Sequence, residues 1–86
     1  MHTVKMLEQA MDLAARLGYT IRQEWLAGCN GGGCELKGRK FFFLDLDLGP
    51  NEQLEQVLDT LRREPNAVTL PMPQELRERL EVRKSA

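Results

Sequence analysis

Cys29 and Cys34, the only two cysteines of the chain, bracket a run of Asn30, Gly31, Gly32 and Gly33. Thiolates at this spacing suggest two chemistries. The first is metal binding. Tetrahedral zinc needs four ligands, and a Cys-x4-Cys pair supplies two, at a wider spacing than the two-residue knuckle of structural zinc sites. His2 and Glu35 are the nearest further ligands within one chain, whereas two chains would together offer four thiolates. A zinc shared across a dimer through Cys29 and Cys34 therefore satisfies the ligand count. The second is reversible oxidation, for which the two thiols would have to face each other across a hairpin. A reactive thiol also needs a helix N-terminus, a histidine or a basic group to lower its pKa. Lys37, Arg39 and Lys40 are the only such neighbours in sequence. The plain alternative is two unligated thiols beside a loop.

Other reactive constellations are poorly supplied. The glycines run into a strand rather than into a helix whose N–H groups would hold a phosphate, and no Walker lysine or G-x-G-x-x-G spacing follows. After Asp45-Leu46-Asp47 the glycine and terminal bidentate Glu of a calcium loop are out of register, and alternate positions are leucines. The segment also lacks the Gly-Thr that would follow an aspartyl nucleophile. The pair is expected on the wet side of a strand. One histidine, His2, and one serine, Ser85, both near the termini, leave little for general acid–base work. The expectation is a non-enzymatic protein with no catalytic residue and no obligatory cofactor.

The elements that position these residues follow from periodicity. Over residues 3–17, Val4, Met6, Leu7, Ala10, Met11, Leu13, Ala14 and Leu17 share one broad helical arc, with Thr3 as N-cap and Gly18 as C′ residue. Tyr19 to Ala27 alternates as a strand, with Tyr19, Ile21 and Trp25 on one side. Cys34 to Lys37 reads as a short strand, and Gly38 with Arg39 as a tight turn. Residues 40–48 give the strongest strand signal, with Phe42, Leu44, Leu46 and Leu48 on one face and Phe41, Phe43, Asp45 and Asp47 on the other. Pro50 opens a second helix in which Leu54, Val57, Leu58 and Leu61 form a narrow stripe. Ala67 to Leu70 is extended and suited to an edge strand. A short helix over 74–83 has only Leu76 and Leu80 as its seam. The predicted fold is α+β, in two layers: α-β-β-β-α with a three-stranded antiparallel meander, helices on one face, then the extended segment and the C-terminal helix. Residues 1–83 form one domain and 84–86 a frayed tail.

The chain of 86 residues has a net charge of −1, which argues against a protein built to grip a polyanion. No run of about 18 apolar residues is present to span a membrane. Glu8 and Asp12 interrupt the N-terminal pattern that a signal peptide would need. Cytoplasm is the expected location, where both thiols stay reduced.

Gly32-Gly33-Cys34-Glu35-Leu36-Lys37-Gly38-Arg39-Lys40, the apolar strand after it and the Glu52–Leu61 helix resemble a family of small bacterial proteins. Those proteins carry a Gly-Gly-x-Cys-x-Leu-(Lys/Arg)-Gly core, an amphipathic helix and a later Pro…Arg-Glu element, matched here by Pro73…Arg77-Glu78. The resemblance covers residues 18–80. It implies a self-contained bacterial domain in which Cys34 and Gly38 belong to the shared pattern and Cys29 does not. The family has no established activity and lends no catalytic residues.

Two functional expectations follow. The first is association with a second copy or another protein through the sheet face bearing Phe41, Phe43, Asp45 and Asp47, with the Cys29–Cys34 loop as a second contact. The second is a metal- or thiol-redox-dependent module using Cys29 and Cys34.

Overall fold

The computed structural model describes residues 3–25 and 32–82. Helix α1 (Thr3–Arg16) buries Met6, Leu7, Ala10, Leu13 and Ala14. It ends at Gly18, whose φ of 101° is the left-handed conformation that closes a helix at low cost only for glycine. Strand β1 (Tyr19–Glu24) follows at once. Strands β2 (Gly32–Leu36) and β3 (Arg39–Asp45) form a hairpin. Its two turn residues, Lys37 and Gly38, have φ of 52° and 78°. Positive φ at both central positions is the turn whose twist matches a two-residue hairpin. The turn thus sits one residue earlier than the sequence suggests.

Sheet order is β1-β3-β2, with β1 parallel to β3 in the register Tyr19↔Lys40, Ile21↔Phe42 and Glu24↔Asp45. Only β2 and β3 are antiparallel. The sheet is therefore mixed, which corrects the expected antiparallel meander. The physical reason lies in strand quality. A meander would put Gly32-Gly33-Cys34-Glu35-Leu36 in the middle, where two glycines have no side chain to pack. The observed order gives the centre to Phe41-Phe42-Phe43-Leu44, the segment with most to bury. The polar β1 and the short β2 take the edges.

Helix α2 (Pro50–Arg62) starts with Pro50 at a position where its missing N–H is no loss, and Glu52 accepts from the Gly49 N–H at 3.4 Å. Ala67–Thr69 is a 3-10 turn, not an edge strand. Pro65 and Asn66 let the chain reverse tightly there, and Ala67 is buried. Helix α3 (Gln74–Val82) then docks through Leu76 and Leu80. Arg77 holds the preceding segment by donating to the carbonyls of Val68 at 2.8 Å and Leu70 at 3.1 Å. Arg62 reaches the Arg79 carbonyl at 3.0 Å, and Arg79 pairs with Glu55. These donors supplement a seam of only two leucines.

One core joins the three helices to a single side of the sheet: Phe42 and Leu44 pack with the buried faces of α1, α2 and α3, while Ile21 and Tyr19 border it. Phe41 and Phe43 lie on the other side. The expected strand 40–48 stops at Asp45, and Leu46 and Leu48 are half-buried in the turn that follows. No helix among the described residues is long and apolar enough to cross a membrane.

Leu44 is 3% exposed in the centre of the sheet. Leu44→Ala is expected to lower unfolding free energy by about 2–5 kcal/mol in denaturant melts. A loss well under 1 kcal/mol would mean that the strand faces are assigned the wrong way round.

Candidate functional site

The fold brings two groups of residues to notice: a polar cleft where α2 crosses the sheet, and the bare sheet face behind it. The cleft starts from Gly33. A Cβ built there would lie 2.7 Å from Thr60 Cγ2 and 3.3 Å from the Tyr19 ring, so glycine is what lets α2 approach β2 this closely. Thr60 is 2% exposed on the buried stripe of α2. Its hydroxyl accepts from the Gly33 N–H at 3.2 Å and donates to the Gln56 carbonyl at 3.1 Å. A backbone donor at the sheet edge is thereby satisfied.

Beside this contact, the parallel register sets Tyr19 next to Lys40, and the end of α2 carries Glu64 over both. Tyr19 donates to Glu64 Oε2 at 2.7 Å. Lys40 Nζ lies 3.2 Å from both Glu64 oxygens and 5.4 Å from the centre of the Tyr19 ring. A cleft of about 150 Å³ opens here, bordered by Tyr19, Gly33, Lys40, Thr60, Arg63 and Glu64. Burial and the hydrogen bond to Glu64 push the Tyr19 phenol up to about 12. Glu64 moves the other way: the hydrogen bond from Tyr19 and the Lys40 ammonium hold its carboxyl below the usual range, against the effect of burial. A phenol kept neutral and a carboxylate already neutralised by Lys40 make a strut between strand and helix. They do not make a nucleophile or a base poised near neutral pH.

The other side of the sheet carries the residues the sequence singled out. Phe41 and Phe43 stack on each other with centroids 6.2 Å apart. Cys34 pairs with Phe41 and Gly32 with Phe43 in the β2–β3 register, so they share this face, as do Thr20 and Arg22 from β1. Cys34 is an exposed free thiol. Leu36 on this face is 55% exposed. Cys29 lies outside the described residues, as do His2, Asn30, Gly31 and the 84–86 tail. Among the described residues no three of His, Cys, Asp and Glu gather as a metal group would require.

Asp45 departs from expectation. It is 3% exposed, not on the wet side of the strand. Its Oδ1 accepts from the Asp47 N–H at 2.9 Å, the side-chain-closed turn that aspartate favours, and its carbonyl accepts from the Gln53 side chain at 2.8 Å. Asp45 thus ends β3 and aims the chain into α2. Asp47 is exposed within that turn, outside the strand. Of the four residues expected on one sheet face, Phe41 and Phe43 lie on the side turned away from the helices, while Asp45 and Asp47 build the turn.

The Tyr19–Lys40–Glu64 cluster and Thr60 have no short-range signal. Their partners are more than twenty positions apart, and the parallel register that joins Tyr19 to Lys40 is not written in either strand. Comparison of the chain with family models, curated proteins and solved structures gives no match.

Two outcomes follow. Gly33→Ala is expected to cost about 1–3 kcal/mol by overpacking against Thr60, and Thr60→Ser, which removes the clashing methyl, to recover part of it in a double-mutant cycle. The pH dependence has two limbs. Glu64, depressed in the fold, contributes stability above its unfolded pKa near 4.3 that is lost as pH falls through the folded value. Tyr19, raised in the fold, contributes stability that is lost as pH rises from about 10 toward about 12. Tyr19 is the only tyrosine. Its phenolate absorbance should therefore titrate near about 12 in the native protein, near about 10 in denaturant, and between the two in Glu64→Gln.

Proposed function

We propose that this chain is a small association domain that assembles with copies of itself through its sheet. The observation that carries the reading is the stacked pair Phe41–Phe43 on the face turned away from the helices. Cys34 and Leu36 extend it on one side, and Thr20 and Arg22 give it a polar margin on the other. An aromatic centre with a polar rim is the composition of a protein contact.

Size decides which occupant fits. Three strands about 4.8 Å apart and about seven residues long at about 3.4 Å give a footprint of roughly 340 Å². A stable interface buries about 800 Å² per partner. A broad globular partner would overhang so narrow a patch, whereas a second copy presents the same footprint and covers it rim to rim. Contact through one such face is weak and depends on concentration.

The metal- or thiol-dependent reading has less to stand on. Cys34 is an exposed free thiol, and Cys29, its partner in that reading, lies outside the described residues. The place of Cys34 beside Phe41 means that self-association is best measured under reducing conditions.

Sedimentation velocity over a concentration series tests the proposal. The wild type should rise above monomer mass, and Phe43→Asp should lose the highest-mass step while its melting curve stays unchanged, because Phe43 points away from the core. A wild type that stays monomeric throughout overturns the reading. So does a Phe43→Asp protein with the same mass distribution as wild type.

A further inference from the structure

Strand β1 ends the sheet, with β3 on one side and no strand on the other among the described residues. Backbone groups alternate in direction along a strand. The Leu46 N–H donates to the Glu24 carbonyl at 2.9 Å, so Glu24, Arg22 and Thr20 turn their backbone toward β3. Tyr19, Ile21 and Gln23 turn theirs outward. A row of outward N–H and C=O groups is a template for another strand. The far edge differs, because Thr60 takes the outward N–H of Gly33.

The side chains of β1 add a pattern that reads the same from both ends. Arg22 and Glu24 share the bare face of the sheet with opposite charges, 2.9 Å apart. Ile21 and Gln23 alternate onto the helix side, and Trp25 follows the end of the strand. Trp25 is 70% exposed and Ile21 packs at the margin of the core.

We propose that a second copy of this chain docks antiparallel along β1, with Gln23 facing Gln23 of the second copy, so that the two sheets run on as one. Reciprocal hydrogen bonds need the two-fold axis at an outward-facing residue. Centred on Gln23, the pairing sets Arg22 opposite Glu24 of the second copy, and Glu24 opposite its Arg22. Ile21 and Trp25 also face each other across the join, twice. Centred on Ile21, Arg22 would face Thr20, and Trp25 would have no strand residue opposite it. Centred on Arg22, two arginines would meet and the outward groups would fall out of phase, which is unfavourable on both counts. Charge and hydrogen-bond phase therefore select one register.

The contact uses the edge, not the Phe41–Phe43 face, and is compatible with it. A two-fold axis normal to the sheet leaves all helices on one side and both bare faces on the other. The joined face doubles to roughly 680 Å², close to what a stable interface buries per partner. Edge pairing is thus the first step of assembly and face stacking the second.

The test is sedimentation velocity in reductant, with Phe43→Asp as the parent so that the face is silent. That parent should be a dimer. Adding Gln23→Pro removes an outward N–H without touching the β1–β3 ladder, and should give a monomer with unchanged circular dichroism. Adding Arg22→Glu sets like charges opposite each other twice and should raise the dissociation constant about tenfold or more. The double exchange Arg22→Glu with Glu24→Arg should restore it. A monomeric Phe43→Asp parent from an oligomeric wild type overturns the edge contact and leaves the face contact standing. A Gln23→Pro protein that stays dimeric, or a double exchange that fails to restore the dimer, overturns the edge contact outright.

Discussion

Burial of one strand governs this molecule. Arg39–Asp45 carries three consecutive phenylalanines and a leucine, and a strand presents them alternately to opposite sides. Phe42 and Leu44 on one side lie in the core that the three helices share, and each is nearly inaccessible. Satisfying both ladders of so apolar a strand requires a neighbour on each edge, and that requirement places β1 and β2 where they are. Phe41 and Phe43, on the other side of the same strand, have no helix or strand above them among the described residues. The strand that makes the core also makes the half-buried aromatic pair behind it, because the alternation is geometric.

Helix α2 is located on this sheet by two contacts of different character. At Gly33 the absence of a side chain admits Thr60, whose hydroxyl both accepts a strand N–H and returns a hydrogen bond to its own helix. At the end of the helix, Glu64 receives the Tyr19 hydroxyl and the Lys40 ammonium together. The first contact sets the distance between helix and sheet. The second sets the angle, since Glu64 must sit above two neighbouring strands at once. Because Lys40 neutralises Glu64 and Tyr19 satisfies its second oxygen, the pair is retained without an unpaired charge in a partly buried place.

The helices were legible because their signals are local. A 3,4 repeat in α1 and α2, Gly18 after α1 and Pro50 at the head of α2 each act within a turn or two of the chain, and their boundaries fall within a residue or so of expectation. Strand identity was also legible, since Phe42 and Leu44 alternate with Phe41 and Phe43. Pairing was not. Nothing in Tyr19–Glu24 states whether its partner is parallel or antiparallel, and the meander is the assumption that chain order alone suggests. Asp45 was misplaced because alternation was carried past the end of the strand, where its side chain closes a turn instead. Ala67 to Leu70 was read as extended, while the tight reversal after Pro65 favours a 3-10 turn over Ala67–Thr69. That Phe41 and Phe43 share the side turned away from the helices was readable from period alone. The Tyr19–Lys40–Glu64 cluster was not, because it exists only once three distant segments meet.

The tight turn at Lys37 and Gly38 has a consequence for how the sheet comes together in time. β3 meets β2 across two residues, a closure that takes microseconds and loses little chain entropy. It meets β1 across a span of about twenty residues, Tyr19 to Lys40, and loop-closure entropy must be met before that ladder gains anything. The hairpin is therefore the local half of the sheet and β1 the non-local half. α1 and β1 arrive as one unit, joined by Leu17 and Gly18, and the strand that closes the sheet is one of its edges.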